Sequence, residues 1–486
     1  MKVEPLLSRV PRHLLIVASF GLLLFLNASF SEITYIGDGV GWDGRVYADI
    51  VGKLCNDPAS VFYTTDSYYL QRLLPCGMVA IILKIFGLPC HDHNIIWAFR
   101  WHNFAVLTAA VYVWTLVSQR INFSLRAAWL SAAFLFLNFA VQKQYFYFPV
   151  NTDATALSLS VALFYCFLSN RRKTLMILAI LGAICWPIIL YTGIILLLWP
   201  YRPVSVQVTT RSAWAAVVTA CAMGFSLYSF FYQGFWPRPL YRPAAVPLSA
   251  LLTAFLLFFG FRNMIPPVPA AVRELFRPLK SPLLYAAVAV VFGLQSLFYF
   301  FADSSFKTLG EVGQISVQHL GVPGIAILGA IVYFGPVIFF AIYRWPEISR
   351  RVQEAGMAML IVFSTGIVQL LFNSEARRGL VFFPFLVAYV TKAFDDRSLS
   401  RPVFVTSLIL SFLFSKLWFL FNHLPGLSFH PLTFPLQVFM AHVGYMDVGA
   451  YIIYGAASLL ILLGLPLYFP GLTKTKGPYQ GDPVSE

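Results

Sequence analysis

The run HLLIVASFGLLLFLNASF, His13 to Phe30, contains no Asp, Glu, Lys or Arg. As a helix it is about 27 Å long, close to the ~30 Å hydrocarbon thickness of a bilayer. Runs of the same kind recur as far as residue 468. The chain of 486 residues is 11% charged, against roughly 25% for soluble domains, and its mean hydropathy is +0.74. An extended chain of this composition satisfies its backbone inside a bilayer only as helices or a closed barrel. Long uninterrupted apolar runs select helices, so the expectation is an all-α polytopic membrane protein.

Basic clusters set the orientation. They lie at Arg9/Arg12, Arg120/Arg126, Arg171–Lys173, Arg202/Arg211, 262–280, 344–351, 392–401 and Lys474/Lys476. Placing them in the cytoplasm gives about 12–14 transmembrane helices, with spans near 14–30, 97–118, 125–141, 154–169 and onward to 449–468. No small-residue cleavage site follows the first run, which reads as a retained helix with the N-terminus cytoplasmic. One multi-span domain then covers 1–472, and 473–486 form a short polar cytoplasmic tail. The formal charge of +14 reports this orientation, and nucleic acid is not an expected partner.

Two runs fit the alternation badly. Residues 72–88 carry Arg72, Pro75 and Lys84 and read as a re-entrant or interfacial helix. The run 174–200 must return to its own side, so it is expected to split at Trp186-Pro187. Of the six cysteines, Cys166, Cys185 and Cys221 fall in apolar runs as inert thiols. Cys55, Cys76 and Cys90 lie near the outer face, where one disulfide can form.

The first outer loop, 31–96, holds YIGDGVGWDGRVYADI, Tyr35 to Ile50. Its glycines permit tight turns, and Asp43 stands where a helix N-cap belongs. From Arg45 the apolar positions Val46, Ile50, Val51 and Leu54 predict a short amphipathic helix on the membrane surface, with Trp42 and Tyr47 at headgroup level. Asp49 has Arg45 and Lys53 as helical neighbours. Asp38 and Asp43 have no local partner. A carboxylate held in a rigid turn at the bilayer surface suits a general base that takes a proton from an acceptor hydroxyl.

The motif WDGRVYADI, just after the first transmembrane run, resembles the first outer loop of GT-C glycosyltransferases. YYLQRLLPCGMVAIILKIFG, Tyr68 to Gly87, is similar to the Arg-x-Leu-x-Pro segment that follows this loop in many bacterial members. FPVNTDATALSLSVALFYCFLSNRRK, Phe148 to Lys173, resembles the second acidic outer loop of the superfamily. The likeness covers roughly residues 14–200 and implies a GT-C-like N-terminal half. It also implies Asp43 as base, with Asp38 as an alternative, and Asp153 as second acid. The ordinary reading of Asp153 is a helix-start residue behind Asn151 or Thr152.

The resemblance implies a polyprenyl-phosphate-linked sugar donor and a glycan, lipid or protein acceptor, in contact with membrane lipids. The bacterial inner membrane is the expected location. A large C-terminal soluble domain of the oligosaccharyltransferase kind is not expected, nor is a required metal, although a divalent ion is left open. NSEARRGL, Asn373 to Leu380, places Glu375, Arg377 and Arg378 in a short outer turn, where arginine suits a lipid phosphate. Lys143, Arg100 and His102 are further phosphate candidates; Trp42, Tyr47 and Glu375 are substrate candidates. The dispersed histidines lack metal-ligand spacing. Rival functions are a transporter or lipid flippase, which needs mid-membrane polar groups, and a lipid-linked glycan polymerase or ligase.

Overall fold

The structure is a computed structural model that describes residues 12–199, 212–233, 242–262, 282–302, 318–373, 375–396, 399–422 and 448–469, with single residues 264, 276 and 278. The expected polar tail and His423, His430 and His442 lie outside these. The chain is an all-α polytopic membrane protein, with no strand among the described residues.

Helices of ten or more residues are labelled in order. The first eight are α1 (Arg12–Phe30), α2 (Trp42–Asn56), α3 (Leu73–Ile85), α4 (Asp92–Arg120), α5 (Leu125–Phe136), α6 (Asp153–Leu168), α7 (Arg172–Ala183) and α8 (Pro187–Leu198). Then come α9 (Ser212–Gln233), α10 (Val246–Arg262), α11 (Pro282–Phe301), α12 (Ile325–Phe334), α13 (Val337–Ala355), α14 (Met357–Phe372), α15 (Phe383–Asp395), α16 (Arg401–Ser415) and α17 (Val448–Tyr468).

Within the described residues, α1 and α17 are each long and apolar enough to cross a bilayer alone. Two bent pairs could serve as further spans: α5 with the segment Ala140–Tyr147, at 53°, and α12 with α13, at 110°. The second bend falls at Gly335-Pro336, where Gly335 has φ 76° and proline ends the ladder. Shorter apolar helices such as α3, α6, α8, α14 and α16 complete the bundle.

Three of the basic turns, at 120–126, 344–351 and 392–401, meet at one end. The Ser124 N–H donates to Asp395 Oδ2 at 3.0 Å and Arg126 donates to the Leu399 carbonyl at 3.3 Å. Arg351 and Lys392 both pair with Asp396. From this end α4, with 29 residues, runs about 43 Å, well beyond one hydrocarbon thickness. It packs against α1 and α6 over its lower part and against α2 and α3 over its first turns.

Those first turns close a small second core. Tyr47, Ala48, Ile50 and Val51 of α2 pack with Cys76, Val79, Ala80 and Leu83 of α3 and with Ile95, Ile96 and Phe99 of α4. The apolar face of α2 is therefore buried on its neighbours and does not lie on the membrane surface. The surface placement failed because α3 supplies the matching apolar face. The ends of α2 and α3 lie together, since Lys84 Nζ donates to the Leu54 carbonyl at 2.9 Å. A disulfide joins Cys55 to Cys90 just ahead of α4. Thus α2 and α3 stand beside the outer end of α4, and Cys76 is buried in the core between them.

Three local readings need correction. Helix α2 starts at Trp42 with Gly41 at its cap position, which puts Asp43 inside the first turn. Arg45 pairs with Asp92 at 2.5 Å, leaving Lys53 as the partner of Asp49 at 2.6 Å. Cys221 is exposed on α9. Elsewhere, Lys416 is only 8% exposed and donates to Tyr454 Oη at 3.0 Å. Its left-handed backbone, φ 52°, ends α16.

Candidate functional site

Four segments that are far apart in sequence meet at the end opposite the basic turns. They are the start of α2, the turn before α3, the start of α6 and the turn Ala376–Val381. Helix α6 has 16 residues, so Asp153 at its head lies about 24 Å from the basic turn at its foot. That places the site near the outer edge of the apolar layer.

Asp43 is positioned by the turn before it. Gly37, Asp38, Gly39 and Gly41 all have positive φ, from 56° to 99°. At Gly41 a Cβ would stand 2.5 Å from the Phe148 ring, and at Gly44 one would stand 2.9 Å from the Val150 carbonyl oxygen. The glycines thus let the first turn of α2 press against residues 148–150, the segment leading to Asp153. Trp42 stacks on Phe148 with ring centroids 5.4 Å apart.

Asp43 gains a partner that no local sequence shows: Arg377 donates to its Oδ2 at 3.1 Å. The same guanidinium lies 3.6 Å from Glu375, which also accepts from Arg378 Nε at 3.0 Å. Burial works against the charge of Arg377, but Glu375, Asp43 and Asp153 outweigh it and hold the group well above its ordinary pKa. Asp43 keeps a side-chain exposure of 39%, so solvent or a substrate can reach it.

Asp153 is buried, at 1% exposure. Its N–H donates to Asn151 Oδ1 at 3.2 Å, one residue ahead of the α6 cap position Thr152, which makes no side-chain cap bond, while Gln144 Nε2 lies 3.4 Å from its Oδ2. Arg377, Arg72 and Asp43 are its charged neighbours. Tyr47 is buried with its ring centroid 5.6 Å from that of Tyr69. Burial, foremost, pushes both phenols above their usual pKa, so they remain protonated donors.

Arg72, the arginine of the Arg-x-Leu-x-Pro segment, belongs to this group, although the sequence weighed its charge only against a membrane crossing and gave it no site role. Its guanidinium lies 3.7 Å from the Tyr68 ring centroid and 4.7 Å from that of Trp186. Trp186 stands at the break between α7 and α8, where the Ile184 carbonyl accepts from the Leu74 N–H at 2.7 Å. The two badly fitting runs, 72–88 and 174–200, are therefore fastened to each other. The signal was an arginine at the head of an apolar run facing a Trp-Pro break.

Other expected residues lie apart from this group. Asp38 is exposed on its turn, and among the described residues no ion pair joins it to the others. Lys143 pairs with Glu32 at 3.2 Å and donates to the Phe419 carbonyl at 2.6 Å. Arg100 Nη2 donates to the carbonyls of Asn27 and Ser31 and to Ser31 Oγ, which ties α4 to the end of α1. The His102 ring shares a 2.8 Å hydrogen bond with Thr155 Oγ1. Among the described residues no three His, Cys, Asp or Glu side chains are grouped as metal ligands would be.

No protein-family model matches the chain, and no curated protein matches it. Among solved structures, it is similar to the oligosaccharyltransferase of Archaeoglobus fulgidus. The apo form has a TM-score of 0.45 at 16% identity, over 98% of this chain and 61% of that one. AglB in complex with an inhibitory peptide and a dolichol-phosphate has a TM-score of 0.41 at 14% identity, over 98% and 61%. The form tethered to an acceptor peptide with an NVT sequon has a TM-score of 0.40 at 14% identity, over 96% and 59%. The chain spans about three fifths of the length of these structures.

Proposed function

We propose that this chain is a membrane glycosyltransferase of the GT-C kind. It moves a sugar from a polyprenyl-phosphate carrier to a glycan, lipid or protein acceptor on the outer or lumenal face. The observation that carries this reading is the meeting of Asp43 with Arg377, beside buried Asp153, at the outer end of the helix bundle. A reachable carboxylate can accept the proton of an attacking hydroxyl, and guanidinium groups a few ångströms away can hold the phosphate that leaves.

Asp43 is the base in this reading, Asp153 the buried acid that orients the substrate, and Arg377 with Arg378 the phosphate side of the cleft. Displacement at the anomeric carbon by a hydroxyl on the opposite face inverts the configuration. Trp42 offers an apolar ring face to a sugar. The Cys55–Cys90 disulfide supports an oxidising compartment for this loop, as expected of a periplasmic or lumenal face. A bacterial inner membrane with a cytoplasmic N-terminus fits the basic turns at the other end.

The test uses purified protein in liposomes, labelled polyprenyl-phosphate sugars and a mixed acceptor extract, with wild type compared with Asp43→Asn. Wild type should release sugar and the variant should not. Equal release by both removes Asp43 from the mechanism. Movement of lipid or solute without any release turns the reading toward a transporter.

A further inference from the structure

Arg72 is the one arginine of the site that no described carboxylate bonds. It is 7% exposed, and its Nε and Nη1 have no hydrogen-bond partner among the described residues. Buried polar groups are normally satisfied, and a buried charge without a counter-ion is strongly unfavourable. Arg377 and Arg378 already hold Asp43 and Glu375. Arg100, equally buried, spends Nη2 on three oxygens of α1 and its end, a structural use that Arg72 does not share.

The surroundings of Arg72 fix its plane. The Tyr68 and Trp186 rings stabilise the cation through their faces, and neither ring supplies an acceptor for Nε or Nη1. A guanidinium is a planar donor whose N–H groups match the oxygens of a phosphate. Trp186 is held in turn by the α7–α8 break that accepts from Leu74, two residues from Arg72. Asp43, Tyr47 and Arg377 are its charged or titratable neighbours, which places it in the same cleft.

We propose that Arg72, held between Tyr68 and Trp186, is the phosphate seat of this cleft and binds the oxyanion of the donor through its guanidinium N–H groups. This rests on the glycosyl-transfer reading above and adds to it: Arg377 and Arg378, paired with Asp43 and Glu375, border the phosphate side of the cleft, and Arg72, which bonds no described carboxylate, is the group that seats the phosphate. The shared chemistry is a phosphate oxyanion, whether it arrives on an isoprenoid or free.

Full-length protein in nanodiscs is titrated with farnesyl phosphate, farnesol and inorganic phosphate, for wild type, Arg72→Gln and Arg72→Lys. Arg72→Gln should bind farnesyl phosphate more weakly by ~10-fold or more, with farnesol unchanged. Arg72→Lys should fall between, because it keeps the charge and loses the planar guanidinium. Inorganic phosphate binding that follows the same order assigns the seat to the oxyanion alone; binding of the farnesyl form only assigns it to the lipid-borne phosphate.

An unchanged thermal midpoint and an intact Cys55–Cys90 bond confirm folding, and if Arg72→Gln does not fold, Arg72→Lys decides. Equal binding of both phosphates by all folded variants overturns the seat, as does a wild type that binds neither. If sugar transfer proceeds with unchanged donor KM in the Arg72 variants, the seat fails and the glycosyl-transfer reading stands. Arg72-dependent phosphate binding without any sugar release has the opposite meaning.

Discussion

Asp43 and Arg377 are 334 positions apart in the chain and meet at 3.1 Å, with Glu375 3.6 Å from the same guanidinium. Arg377 can keep its charge paired through Glu375 while Asp43 moves toward an acceptor, so the ion pair positions the base without locking it. Asp43→Asn preserves this hydrogen bond and removes only the proton acceptor. Sugar transfer should fall about 10²–10⁴-fold, with donor binding changed no more than a few-fold. Initial rates and donor titrations on one preparation separate the two effects. A variant that transfers at the wild-type rate excludes Asp43 as base.

The glycines of α2 provide a matched pair of substitutions. A Cβ on Gly44 would stand 2.9 Å from the Val150 carbonyl, whereas one on Gly52 meets nothing within 4 Å. Gly44→Ala must push α2 away from the segment leading to Asp153. It should cost about 1–3 kcal/mol and lower transfer further than that loss alone explains. Gly52→Ala should leave both unchanged or slightly improved, since alanine favours the helix. Thermal unfolding followed by rate measurements on folded protein checks both, and equal behaviour of the two variants would remove the close approach as a cause.

What the sequence made legible follows from the range of each interaction. The turn at Gly37–Gly41 and the start of α6 at Asp153 rest on neighbours within a few residues, and glycine and cap patterns report such contacts directly. Asp43 and Arg377 each stood out locally, but their meeting depends on how α14 and α15 return to α2. Arg72 was read as an obstacle to membrane crossing because a charge at the head of an apolar run ordinarily marks a boundary. Its ring partners, Tyr68 and Trp186, are set by the packing of α3 on the α7–α8 break. Likewise spacing alone could not select among Cys55, Cys76 and Cys90. The buried face of α3 claims Cys76, and the adjacent ends of α2 and α4 leave the other two together.

That disulfide closes a 35-residue separation and holds the outer ends of α2 and α4 against each other. Cys55→Ser or Cys90→Ser should destabilise the outer-loop core by about 2–4 kcal/mol. In oxidised protein neither thiol should react with an alkylating reagent until a reductant is added. The check is mass spectrometry of alkylated protein with and without reductant, alongside thermal unfolding. Labelling of Cys55 before reduction contradicts the pairing.

Lys143 and Glu32 form a pair whose side chains are 5% and 12% exposed. Glu32 also accepts from the N–H groups of Phe421 and Asn422 at 2.7 and 2.9 Å, and Lys143 donates to the Phe419 carbonyl. The pair therefore fastens residues 419–422 to the end of α1. Glu32→Gln leaves Lys143 buried without a counter-charge and should cost about 3–5 kcal/mol. Lys143→Met should cost less, because the two backbone N–H groups still satisfy the carboxylate. The double variant should recover part of the Glu32→Gln loss, since contacting residues are not additive. Chemical unfolding of the three variants measures this cycle, and donor KM measured beside it carries a second decision. A lysine that works only as a fastener leaves donor KM unchanged in folded Lys143→Met, whereas a several-fold rise would bring Lys143 into the phosphate site.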